Sequence, residues 1–341
     1  MIKYAYSGSG LKDWEGRLAG YDKKFLVHLF RDMLRIRLIE EEIERRYRED
    51  QMKTPIHLVI GQEATSVGCC AALRKEDLLY SSHRTHGNYL AKDGDLKAML
   101  CEMHCRLNGC AGSRGGSMHL IDKSVGMAGT SAIVGGAIPI ATGAALAAQI
   151  QGLDRVSVVF FGDAATEEGV ASESLNFAAL KKLPVIFFCE NNFYSVQSPL
   201  DTRQPAREIY KWAAGYGIDS VRVDGTNVLA VYEATREAVR RAREGGGPSF
   251  IEAPVYRFRA HGGAGDDSQS GYRDPAEREA WEKICPVESC FQFLAHAGVM
   301  DAAQREQLHA EITREILEAF DYALASPNPE EKDLYTHVYS N

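Results

Sequence analysis

From Val156 onward, short apolar runs alternate with amphipathic intervals, and this alternation constrains the fold more than any other feature of the chain. The runs are VSVVFF, LPVIFFC, DSVRVDG and SFIEAPVYRF, rich in β-branched and aromatic residues. Helical spacing fills the intervals Glu168 to Lys181, Ala206 to Tyr216 and Val228 to Arg243. Strands separated by helices pair through crossovers, so the expected fold is α/β, a doubly wound and mostly parallel sheet with helices on both faces. Upstream, Tyr21 to Asp50 reads as one long amphipathic helix with Leu26, Leu29, Phe30, Leu34, Ile39 and Ile43 on its apolar side. Gly61 to Leu73 and Asp95 to Leu107 also read as helical and flank a short strand at Leu78 to Ser82. Pro275 to Ala325 reads as helical throughout, so a central unit, 51–273, is expected between helical additions at 1–50 and 274–341.

The 341 residues include 47 acidic and 39 basic ones, a net charge of −8, which excludes the basic footprint of a nucleic-acid or anionic-membrane binder. The opening MIKYAYSGSGLKDW has no basic segment followed by an apolar run, so it is read as neither a signal peptide nor an anchor, and a cytoplasmic protein is expected. The longest uncharged stretch, Ser124 to Leu153, is punctuated by Gly and Pro and reads as a buried, closely packed loop and helix, not a membrane span. Eight cysteines in such a chain are expected to be reduced. Cys101, His104, Cys105 and Cys110 lack the paired spacing of zinc knuckles, so packing is favoured over a metal there.

Ligands of an open parallel sheet collect beyond the carboxyl ends of its strands. VSVVFF is followed by Gly162, Asp163, Ala164 and Ala165, and LPVIFFC by Glu190, Asn191 and Asn192. One strand-helix-strand crossover would bring Asp163 and Asn192 to the same edge, where a single hard cation could bridge them. Mg²⁺ held by so few protein oxygens is usually completed by substrate phosphates, which implies a phosphorylated ligand. The alternative is that Asp163 caps the next helix and Asn192 forms a turn. The Gly-rich segments 112–119 and 131–147 allow close backbone approach to a ligand, yet neither is a dinucleotide or P-loop fingerprint. His83, Arg84 and His86 follow one strand and His261 another. Arg84 could clamp a diphosphate oxygen, and a loop His could donate to one or move a proton, although a lone loop His is more often plain surface.

Eight ordered segments carry a resemblance: IGQEA, YSSHRTHGNYLAKDGD, GSRGGSMHL, IVGGAIPIATGAALA, GDAATEEG, LNFAALKKLPVIFFCENNFYS, YRFRAH and LYTHVY. Together they resemble the alpha subunit of the first component of the thiamine-diphosphate-dependent 2-oxo acid dehydrogenases, the branch with acetoin, pyruvate and branched-chain enzymes. The resemblance implies the thiamine-diphosphate-binding fold, with Mg²⁺ on Asp163, Asn192 and the backbone carbonyl of Tyr194. It implies diphosphate contacts from His83, Arg84 and His261, aminopyrimidine contacts from the backbone around Ile133 and Val134, and a cofactor-lining turn of Gly162, Asp163, Ala164 and Ala165. His261 and His86 are the catalytic candidates. Carbanion chemistry at thiazolium C2 would decarboxylate a small 2-oxo acid or cleave acetoin, and the enamine would pass its acyl group to a lipoyl-bearing acyltransferase. A beta subunit would supply the glutamate that activates the cofactor, in an alpha2-beta2 heterotetramer.

Two departures stand out. Ala164 replaces the second Gly of the thiamine motif and is tolerable only at negative φ. The loop after His261 becomes GGAGDDSQSGYR, with Gly262 where mitochondrial relatives phosphorylate a serine, so that regulation is not expected. The alternatives in function are a two-subunit thiamine carboligase or decarboxylase without a lipoyl acceptor, and a catalytically silent scaffold subunit.

Overall fold

A computed structural model describes residues 4, 8, 11–205, 208–267 and 270–338. Ala206, Ser268, Gln269 and Tyr339, which the motifs above include, lie outside the described residues.

The sheet has six strands: β1 (Leu78–Ser81), β2 (Met127–Thr130), β3 (Ser157–Gly162), β4 (Val185–Asn191), β7 (Asp219–Arg222) and β8 (Ser249–Pro254). A two-residue hairpin, β5 (Tyr194–Ser195) and β6 (Ser198–Pro199), stands apart from it. The order is β2-β1-β3-β4-β8-β7, and every pairing in the sheet is parallel. The near-continuous apolar runs read from the sequence follow from this, because strand parity sends side chains to both buried faces. Val158, Phe160, Ile186, Phe188 and Ile251 face the larger core, which holds the long N-terminal helix Lys23–Tyr47 and the C-terminal helices. Val159, Phe161, Val185, Phe187 and Phe250 face a second core under the helices Ala137–Ile150, Gly169–Lys181 and Ile209–Ala214. The larger core runs without a break from Trp14 through Phe188 to Phe320.

Two expectations need correction. Ser124 to Leu153 holds a strand, β2, too short and Gly-rich to show a period, and its helix buries only one face. Ile140 and Ile150 on that helix are 56% and 76% exposed. Pro275 to Ala325 is three helices, Pro275–Glu282, Pro286–His296 and Ala302–Ala325, the second opened by Pro286 and the third by a capping box on Asp301 and Gln304. DSVRVDG forms the expected strand, β7, at the edge of the sheet, where Val221 is 41% exposed.

Candidate functional site

Five strands end at one cleft. The chain leaves β1 outward to β2 and then returns to β3, so the loops after the neighbouring strands β1 and β3 diverge and open a crevice. Ser82, His83 and Arg84 enter it from β1, Ala132, Val134 and Gly135 from β2, and Gly162, Asp163, Ala164 and Ala165 from β3. β4 contributes Glu190 and then Asn192 and Tyr194, and the segment after β8 contributes His261. The cleft is open to solvent on one side and spans about 910 Å³ when counted out to that opening.

One end of the cleft is cationic. The imidazoles of His57, His83 and His261 gather with centroids 4.6, 5.1 and 5.3 Å apart, and one ring nitrogen of each lies within 4.8 Å of the others. Beside them Arg84 is 5% exposed and gives its guanidinium to the carbonyls of Leu58 and His261, the latter at 2.9 Å. Burial and the neighbouring Arg257 push the Arg84 guanidinium down to about 9. The histidines are held far below their usual value, His57 to about 2, His83 to about 3 and His261 to about 4, by burial first and then by Arg84 or a neighbouring His. Among the described residues, His57 Nδ1 and the Nε and Nη1 of buried Arg257 have no hydrogen-bond partner. Three neutral imidazoles alone could take a transition metal, but two buried guanidinium groups beside them favour an anion rich in acceptors.

The other end is anionic and oxygen-rich. Asp163 starts a 3-10 turn, Asp163–Glu167, and is 1% exposed. Burial pushes its carboxyl above the usual range, and the ion pair with Arg203 opposes that rise. Asn192 accepts from the Tyr194 backbone N–H at 3.3 Å and donates to Gln62 Oε1 at 3.4 Å. The preceding Asn191 is a structural residue, giving its amide to Glu252 and accepting from Phe193 N. Positive φ at Phe193, 68°, turns the chain here. Glu190, bonded to the Thr65 hydroxyl, is raised by burial to about 7. Hard carboxylate and amide oxygens facing a cationic pocket across one cleft are a donor set that fits a Mg²⁺ diphosphate.

Of the residues singled out in the sequence, the cleft brings together His83, Arg84, Val134, Gly162, Asp163, Ala164, Ala165, Asn192, Tyr194 and His261. Ala164 has no positive φ, so its methyl adds no backbone strain. Ile133 is 74% exposed and lies outside the cleft lining. His86 is not brought to the cleft either. It is fully buried, with Nδ1 2.6 Å from Glu40 and Nε2 2.7 Å from Ser117, and it ties the long helix to the Gly-rich loop. The 112–119 segment wraps the chain's own Glu102 instead of a ligand: Oε2 accepts from Ala111 and Ser113 N–H, and Oε1 from Gly115 and Gly116 N–H, all at 2.7–3.0 Å. Cys101, His104, Cys105 and Cys110 do not gather into a metal cluster among the described residues, and the cysteines are free. His57, Gln62 and Arg203 were missed. His57 had a signal, as the one ionisable side chain within the apolar run IHLVI, whereas Arg203 is linked to Asp163 only by the hairpin.

Residues 31–332 match the dehydrogenase E1 component family. The chain belongs to that family, as an alpha-type subunit of the thiamine-diphosphate-dependent 2-oxo acid and acetoin dehydrogenases. It is 37% identical to the alpha subunit of acetoin:2,6-dichlorophenolindophenol oxidoreductase of Bacillus subtilis, over 91% of this chain and 92% of that one. The Cupriavidus necator protein of the same name is 38% identical, over 93% and 95%. The alpha subunit of pyruvate dehydrogenase E1 of Rhizobium meliloti is 33% identical, over 95% and 92%. No helix among the described residues is long and apolar enough to cross a membrane.

Proposed function

We propose that the cleft binds thiamine diphosphate through Mg²⁺ and that the chain, paired with a beta subunit, cleaves a small 2-oxo acid or acetoin and delivers the acyl group to a lipoyl-bearing acyltransferase. The observation that carries this reading is the facing of an oxygen pair, Asp163 and Asn192, and a buried cationic pocket, Arg84 with three histidines, across one strand-end cleft. When bound, the cofactor supplies the electron sink for the bond cleavage. The chain's part is to hold it. Asp163 and Asn192 Oδ1 offer oxygens to the metal, together with the Tyr194 carbonyl. Arg84 neutralises the diphosphate, and His57, His83 and His261 donate ring N–H groups to it. Val134 and the backbone around Ile133 border the cleft mouth for the aminopyrimidine. His261 stands at the end of the loop after β8, where it could move a proton during acyl transfer. The central 51–273 carries these groups, while 1–50 and 274–341 brace them.

A beta partner is supported by exposed apolar side chains at Ile133 and Val134 and on the helices Ala137–Ile150 and Gly169–Lys181. Ile133, Val134 and Ile140, with Phe177 and Leu180 of the adjoining helix, are exposed, a composition suited to a subunit interface that closes the site. An alpha2-beta2 assembly and a cytoplasmic location go with this reading.

The test is calorimetric titration of thiamine diphosphate, with Mg²⁺, into the chain co-expressed with its beta subunit. Asp163→Ala is expected to lose Mg²⁺-dependent binding while retaining the fold, and unchanged binding would sink the site. Acyl-lipoyl formation from pyruvate, branched 2-oxo acids or acetoin then identifies the substrate. Release of free aldehyde or carboligation product alone would instead indicate a carboligase.

A further inference from the structure

The hairpin β5–β6 does more than follow Asn192. After it, a 3-10 turn, Leu200–Thr202, returns the chain to Asp163, and Arg203 and Gln204 grip the Asp163–Glu167 turn. Arg203 pairs with Asp163 Oδ2 and with Glu167 Oε1. Gln204 Nε2 donates to the Asp163 carbonyl at 3.2 Å, to Thr166 Oγ1 at 3.0 Å and to Glu167 Oε1 at 2.8 Å. Arg203 is itself fixed, with Nε on the Ser198 carbonyl at 3.1 Å and its backbone N–H on the Leu200 carbonyl at 3.0 Å. Thus the segment that begins at one oxygen donor, Asn192, ends by clamping the other.

Two roles are open to such a guanidinium. It could occupy the place of the metal and compete with it, or it could orient the carboxylate from behind. Two observations favour orientation. Arg203 does not line the cleft that Asp163 faces, so a cation can enter without displacing it. Its second partner, Glu167, and all three of Gln204's partners belong to the turn itself, so the clamp fixes the turn as a unit. A carboxylate 1% exposed also needs a counter-charge whether or not a cation is bound.

We propose that Arg203, backed by Gln204, is a positioning residue for the cofactor metal: it locks the Asp163 carboxylate in the orientation the metal requires and sets its geometry relative to Asn192. This rests on reading the cleft as the Mg²⁺ diphosphate site. Partners of ligating carboxylates of this kind typically control about 10- to 100-fold in metal affinity.

The experiment titrates Mg²⁺ at fixed thiamine diphosphate into the alpha-beta complex, calorimetrically, for wild type, Arg203→Gln, Arg203→Lys and Asp163→Ala. The melting temperature of each cofactor-free complex is recorded alongside. Arg203→Gln is expected to need about 10-fold more Mg²⁺ or beyond, with its melting temperature close to wild type and with thiamine diphosphate affinity recovering at saturating Mg²⁺. Arg203→Lys, which keeps the charge but not the fork, is expected to fall between; if the Gln variant does not fold, a wild-type Mg²⁺ midpoint in the Lys variant overturns the proposal. An unchanged midpoint in Arg203→Gln overturns it too, and a lower midpoint identifies the guanidinium as a competitor for the metal, which also overturns it. A folded wild-type complex that binds no thiamine diphosphate overturns the reading of the cleft itself, an outcome separate from any effect of Arg203.

Discussion

At the scale of single residues, the cationic end of the cleft is a store of unmet electrostatic demand. In the unfolded chain a histidine takes a proton near pH 6.5, whereas His57, His83 and His261 resist protonation until about 2, 3 and 4. As pH falls from 7 to 5 the unfolded chain therefore binds protons that the folded cleft refuses, and these groups make stability fall with falling pH. Glu190, raised to about 7, works in the opposite direction over the same window because the folded state holds its proton longer. The test is accordingly a difference. The melting temperature of cofactor-free His57→Gln is expected to fall less steeply than wild type between pH 7 and 5, and parallel curves would show that His57 does not titrate as described. On the proposed reading His57→Leu, which leaves no side-chain N–H for the diphosphate, should weaken thiamine diphosphate binding by about 10-fold.

At the scale of elements, the Gly-rich loop shows how a feature that invites a ligand can be satisfied internally. Four backbone N–H groups converge on the fully buried Glu102 carboxylate from the helix Leu96–Met103. A Cβ on Gly109, just before this loop, would collide with Glu102 Oε2, so a glycine there lets the chain pass close to this side chain. The loop in turn places Ser117 on His86 and Met118 at the cleft. Glu102→Gln keeps the shape but replaces one acceptor oxygen with a donor facing N–H groups. It is expected to cost about 2–4 kcal/mol in denaturant unfolding. A change below about 0.5 kcal/mol, ordinary for surface substitutions, would show that the loop does not depend on this carboxylate.

At the scale of the whole molecule, the sheet is covered on both faces, yet the second face carries apolar side chains outward as well as inward. Ile140 and Leu180 are 56% and 73% exposed on helices whose opposite sides fill the core. Ile140→Glu or Leu180→Glu should leave the melting temperature of the isolated chain unchanged and abolish co-purification with the beta subunit; retained association would place the interface elsewhere. Much of this architecture was legible in the sequence. The apolar runs of β3, β4 and β8 carry their own burial, because a strand covered on both faces must be apolar at every position. Asp163 and Asn192 were legible for the same reason, since a parallel crossover fixes which ends of two strands share an edge. β2 was not, because four residues, MAGT, are too few to show a period, and the strand is defined by its pairing with β1. Nor could spacing assign His86 and Arg203. A histidine after a strand reads alike whether it faces a cleft or, as here, a buried Glu40, and Arg203 reaches Asp163 only because a short hairpin reverses the chain. By itself, then, the sequence determined the class of fold and the strand ends where its chemistry gathers, since periodicity and crossover handedness are local properties. Which side chains meet there, and which instead brace the scaffold, was decided by tertiary structure, because contacts between distant segments depend on how helices and loops pack and not on any pattern within them.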